Sequence, residues 1–264
     1  LRLLGGLHYL VLARLASWDD LDGALTEHGA FLARWTAEQD VQTNEVQRAW
    51  GLLPAFLSVA DERPLDLLEL GPSAGLNLLW DRYRYAYSTG AWGDGPLELR
   101  GDDRVPPPAE LLAKTVSIER RRGIDLNPVD VTTEHGARLL QAFVWADQTE
   151  RLERLRRAIE VVRADPPYLM QGDYVEALPA LLRGRREGAQ LIVFQTASTM
   201  YLARGAVERI QLALREAARE EPLVFISTGN APSGFSLDVQ RFPDGRTTSL
   251  GILDFHGEWL EWGK

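Results

Sequence analysis

A short apolar run, Leu65–Leu70, stops abruptly at Gly71-Pro72-Ser73-Ala74-Gly75 and resumes with helical spacing through Leu76, Leu79, Trp80 and Tyr83. A chain that changes its period of burial across two glycines must turn sharply there, and a strand, a tight turn and a helix bury both halves. The texture repeats downstream. Short apolar runs at Leu65–Leu70, 117–126, Tyr168–Gln171, 191–194 and 223–226 alternate with helical patterns at 73–85, 132–164, Tyr174–Arg183 and 202–219. This alternation predicts an α/β protein with a mostly parallel sheet and helices on both faces.

Residues 1–60 read as a helical N-terminal cap, with Leu3, Leu4, Leu7, Val11 and Leu15 on one face, and residues 61–264 as the sheet domain. Residues 86–115, rich in Gly, Pro and Asp, read as an inserted loop. Arg120, Arg121 and Arg122 are awkward in a buried strand, so the second strand is expected to be short, beginning near Gly123. Near the end, Phe235, Leu237 and Val239 alternate with polar residues, and Pro243-Asp244-Gly245 makes a turn before the run 250–255. That predicts an antiparallel hairpin at the sheet edge.

The chain has 264 residues, 45% hydrophobic and 25% charged, and no Cys. Disulfides, thiolate catalysis and zinc–cysteine sites are excluded, and a cytoplasmic location is expected. No apolar stretch reaches the roughly 20 residues of a membrane span. The net charge of −9 argues against broad nucleic-acid binding. His8, His28, His135 and His256 are scattered, and no pair has metal-ligand spacing. His256 is a candidate base, with a surface imidazole as the plainer reading. Basic residues are almost all Arg, which suggests a GC-rich bacterial genome.

In an open parallel sheet, ligands sit at the carboxyl ends of strands. The dinucleotide fingerprint G-x-G-x-x-G is not met, because Ser73 stands at its middle glycine. Glu69, at the mouth of the first strand, would repel a pyrophosphate and suits a ligand with an ammonium or sulfonium group. Gly71 and Gly75 allow close backbone approach, and the helix start beyond them offers free N–H groups. Asp125, ending the second strand, suits the hydroxyls of a ribose. Asp173, after Gly172, suits an exocyclic amine, with Leu126 or Tyr174 against the ring. Each acid also has a structural reading, as a turn residue or helix cap.

The order E-L-G-P-S-A-G, G-I-D-L-N-P, Q-G-D-Y, the run at Leu191 and a terminal antiparallel strand resembles the Rossmann-like class I S-adenosylmethionine-dependent methyltransferases. The resemblance implies that Glu69, Gly71, Ser73 and Gly75 bind the methionine part of S-adenosylmethionine. Asp125 would take the ribose hydroxyls and Asp173 the adenine amine, with Asn77, Leu126, Gly172, Tyr174 and Gln195 completing the cofactor surface. The stretches E-L-G-P-S-A-G-L-N-L, R-R-G-I-D-L-N-P-V-D and V-W-A-D-Q-T-E-R-L-E-R-L also resemble a bacterial family catalogued as domain of unknown function 2332.

The expected activity is methyl transfer to a small molecule, with no catalytic residue assigned. The alternatives are a non-catalytic nucleoside- or cofactor-binding module of the same fold, or a nicotinamide-dependent oxidoreductase. The stretch Gln195-Thr196-Ala197-Ser198-Thr199-Met200-Tyr201 after the fourth strand matches no acceptor motif. Asp165-Pro166-Pro167-Tyr168 resembles the D-P-P-Y motif of amino-methylating nucleic-acid enzymes, but precedes the third strand instead of following the fourth. It reads as a proline-bounded loop.

Overall fold

The structure is a computed structural model describing residues 1–42 and 44–263. In chain order its first elements are α1 (Arg2–Leu12), α2 (Leu21–Glu38), α3 (Arg48–Val59), β1 (Leu65–Leu70), β2 (Arg84–Tyr87), β3 (Gly90–Trp92) and β4 (Glu98–Arg100). Then come β5 (Asp102–Val105), α4 (Ala109–Leu112), β6 (Ile118–Asp125), α5 (Glu134–Ala142), α6 (Thr149–Ala164), β7 (Tyr168–Gln171) and α7 (Tyr174–Arg183). The remainder are β8 (Gln190–Gln195), α8 (Arg204–Ala217), β9 (Leu223–Ala231), β10 (Gly234–Phe242), β11 (Arg246–Leu253) and β12 (Trp259–Trp262).

These elements group into two compact units. One holds Leu1–Asn44 and Val129–Pro166; the other holds Glu45–Pro128 and Pro167–Lys264. The first is all helical. Leu7, Leu10, Ala24 and Leu32 form an apolar cluster, and the Tyr9 hydroxyl meets His135 Nδ1 at 2.8 Å. Helix α3, expected with the N-terminal helices, groups with the sheet. The helical pattern expected over 132–164 is broken at 143–148, giving α5 and α6. Among the described residues, no helix is long and apolar enough to cross a membrane.

The second unit is built on a nine-stranded sheet in the order β5-β12-β11-β10-β9-β8-β1-β6-β7. Strands β7, β6, β1, β8 and β9 run parallel; β10, β11 and β12 follow as antiparallel neighbours. Helices cover both faces. Leu68 and Leu70 of β1 pack with Leu178 of α7 and Ile210 and Leu214 of α8. On the opposite face, Phe56 of α3 meets Phe194 of β8 edge-on, with ring centres 5.1 Å apart.

Three sequence expectations are corrected here. The hairpin β10–β11 is not at the sheet edge, because β12 pairs with β11 and β5 pairs with β12. The segment 86–115 is not a loop: β2, β3 and β4 make a small second sheet, and β5 closes the far edge of the large one. The helix expected over 73–85 is a 3-10 segment, Leu76–Arg82, kinked at Leu79 and followed at once by β2. Its aromatic residues explain the difference. Tyr83 and Tyr85 are buried, and their hydroxyls donate to the carbonyls of Leu76 and Trp80, satisfying groups that a continued helix would have used.

A fourth correction concerns the arginines. Strand β6 includes all of Arg120, Arg121 and Arg122. Parallel pairing sets Arg120 beside Asp66 of β1, a residue with no exposed surface. Arg120 Nε donates to Asp66 Oδ1 at 2.9 Å, and Arg122 Nη2 donates to Oδ2 at 3.1 Å. Arg120 Nη2 also donates to Oδ2, at 2.6 Å, and the Arg186 backbone N–H adds a fourth donor at 3.0 Å. Arg121 points the other way and pairs with Asp81. A buried acid thus converts awkward arginines into partners. Removing one side of a buried pair strands the other charge. Asp66→Ala should therefore cost about 3–5 kcal/mol in a chemical denaturation series; a loss below about 1 kcal/mol would show that the cluster is dispensable.

Candidate functional site

The chain passes from β1 to β6 on one side, while β8 lies on the other. The carboxyl ends of β1 and β8 therefore mark the topological switch point, the place where open parallel sheets bind their ligands. The Gly71–Gly75 turn sits there. Gly71, Ser73 and Gly75 all have left-handed backbones, with φ of 74°, 53° and 76°. For Ser73 that conformation is unfavourable and has to be held. The holder is the end of β6: the Ser73 N–H donates to Asp125 Oδ2 at 2.8 Å, and the Gly71 N–H donates to the Ile124 carbonyl at 2.9 Å. The other Asp125 oxygen accepts the Asn127 N–H at 2.9 Å.

The two glycines are required by protein neighbours. A Cβ on Gly71 would lie 2.6 Å from Ser198 Cβ, and one on Gly75 would lie 2.8 Å from Pro167 Cγ. Ser198, which sequence reasoning passed over, also donates from its hydroxyl to the Leu70 carbonyl at 2.7 Å. It lies just past the end of β8, after Ala197, another left-handed residue without the freedom of glycine. The Ala197 N–H is fixed by Thr228 Oγ1 at 2.8 Å. The only sequence trace of this cluster was the polar stretch after Phe194.

Glu69 is the unusual group. It alternates with Leu68 and Leu70, so it lies on the α3 face, beside Phe194 in the parallel register. It is 1% exposed, and its Oε2 has no hydrogen-bond partner. Burial, and secondarily the charge of Asp125, push its pKa up to about 8; Arg48 acts the other way. Other buried acceptors without a hydrogen-bond partner include Asn77 Oδ1, in the segment after the turn, and Gln195 Oε1, at the end of β8. The Gln195 amide is held by its Nε2, which donates to the Thr228 carbonyl at 2.9 Å. These three atoms are acceptors, and each would be satisfied by an N–H or O–H donor.

The remaining sequence candidates are arranged differently. Asp173 is exposed and caps α7, accepting the Val175 N–H at 2.8 Å. The Gly172 N–H donates to the Asp125 carbonyl at 2.8 Å, which brings the β7 end against the β6 end. Leu126 is 61% exposed, whereas Tyr174 is buried beneath Gly71. Of the two residues expected to cover a base, Leu126 is the one open to a ligand. His256 is exposed. Among the described residues, no group of three or more His, Cys, Asp or Glu side chains is placed to hold a metal ion.

Residues 1–262 match the family model described as an uncharacterized protein conserved in bacteria, DUF2332. No curated protein matches the chain.

The elevated pKa of Glu69 gives a signed expectation. Its folded value, about 8, lies above the ordinary 4.5, so it takes up a proton on folding between those values. Stability is fully present below the ordinary value and is lost as pH rises through about 8. Each tenfold change in proton affinity corresponds to about 1.4 kcal/mol. Glu69→Gln should match the parent near pH 4 and be more stable, by roughly 3–5 kcal/mol, near pH 9. Thermal unfolding of both proteins at the two pH values measures this; an equal difference at both would refute it.

Proposed function

The chain belongs to the bacterial family DUF2332, and we propose that within it the sheet unit binds S-adenosylmethionine and directs its methyl group to a small molecule. The observation that carries this reading is the buried, unpartnered carboxyl oxygen of Glu69 at the mouth of β1. A carboxyl group buried without a partner costs free energy unless something cationic or protonated completes it. A nicotinamide dinucleotide would bring a pyrophosphate to the same turn and worsen the balance. A ligand whose end carries an α-amino group restores it.

The other residues fit the same group. Each Asp125 oxygen accepts one backbone N–H and retains room for a further donor, such as a ribose hydroxyl. Asp173 uses Oδ1 on its helix cap, leaving the other oxygen for an adenine amine. Exposed Leu126 offers an apolar face for the ring. When bound, the cofactor supplies an electrophilic methyl group on a sulfonium centre. The chain's part is to anchor the amino-acid end at Glu69, fix the ribose at Asp125, and hold the alignment that in-line transfer requires. A base is needed only when the acceptor must lose a proton.

Calorimetric titration tests the reading. The parent should bind S-adenosylmethionine and its demethylated product, S-adenosylhomocysteine, and should not bind a nicotinamide dinucleotide. Glu69→Gln should weaken both sulfur ligands by about 1–3 kcal/mol and leave adenosine nearly unaffected. Stabilisation by the dinucleotide alone would overturn the proposal. Asp173→Ala should lower stability by about 1 kcal/mol through the lost cap. It should also weaken adenosine binding by about 1–3 kcal/mol; a loss of stability with unchanged binding would leave Asp173 a cap only.

A further inference from the structure

Both oxygens of Asp125 are engaged before any ligand is considered, and one of them grips the centre of the Gly71–Gly75 turn. That grip falls on Ser73, the turn's one left-handed residue without a glycine's freedom. Ser73 is 6% exposed, and the neighbouring Gly71 is tied to the same strand end through the Ile124 carbonyl. We propose that Asp125 is a positioning residue for the amino-acid end of the ligand: by holding Ser73 left-handed, it gives the turn the shape on which that end rests.

The inference depends on the S-adenosylmethionine reading and extends it. A residue that only touched ribose would affect every nucleoside alike. A residue that also shapes the turn must affect ligands bearing an amino-acid end more than ligands without one. The carboxylate would then link two parts of the site that contact different halves of the ligand.

Four proteins separate the possibilities: the parent, Asp125→Asn, Ser73→Gly and the double variant. Each is followed by ligand-free thermal unfolding and by titration with S-adenosylhomocysteine and with adenosine, at a temperature where all are folded. Asp125→Asn should lower the ligand-free melting temperature and weaken both ligands. S-adenosylhomocysteine should lose about tenfold more than adenosine. Adding Ser73→Gly should restore that extra loss, because glycine adopts the left-handed conformation without a tether. It should not restore the loss for adenosine. Equal weakening of the two ligands with no restoration would overturn the proposal, leaving Asp125 a ribose contact alone. If the parent bound neither ligand, the S-adenosylmethionine reading would fail by itself. The ligand-free unfolding would then still decide whether Asp125 holds the turn: strictly additive effects of the two substitutions would show that it does not.

Discussion

The middle one of the five parallel strands buries two acids three positions apart, and the sheet unit is organised by how differently they are treated. Asp66 and Glu69 both lie in β1, whose residues are all buried. Asp66 faces the side covered by α7 and α8, and it receives Arg120, Arg122 and a backbone N–H. Glu69 faces α3 and has an oxygen with no donor. The first acid fixes the register of β1 against β6, because a slip by one residue would send the arginines to the wrong face. The second is left with an unmet demand at the carboxyl end of the same strand, where open parallel sheets bind their ligands.

Register and site are therefore linked. The pairing that brings Arg120 beside Asp66 also brings Ile124 beside Leu70, which sets Asp125 where it can reach the turn. The turn is closed from the other side by Ser198, and Thr228 fixes the backbone next to Ser198. Strand ends from β1, β6, β7, β8 and β9 thus meet through backbone N–H groups and short polar side chains. Such groups hold position with little freedom.

Much of this was legible in the sequence. The strands β1 and β7 and the helix α7 fall where the apolar runs place them, and the turn between β1 and its following helix is where two glycines demand it. The failures have physical causes. An arginine looks unsuited to a buried strand until its acid appears on the neighbouring one, and that pairing is visible only in three dimensions. Strands β3, β4, β5 and β12 have three or four residues each, too few for a period to show. The helix after the turn stops early because buried tyrosine hydroxyls compete for its carbonyls. At the site, sequence chemistry singled out the acids, but not that the glycines answer to Ser198 and Pro167.

The far edge of the large sheet has one more consequence. Strand β5 is joined to the sheet only by β12, although the two lie more than half of the 264-residue chain apart. During synthesis from the N-terminus, residues 102–105 emerge long before the residues that pair with them. For that interval they form an unpaired edge, the kind of segment that invites association between nascent chains. Their sequence, Asp102-Asp103-Arg104-Val105, is mostly charged, which is how natural edges discourage such pairing. Completion of this edge thus waits for a segment made long after β5, and pairing of such long range makes for slow folding. A ribosome-bound chain halted before Trp259 would lack this edge, however well its central strands had already assembled.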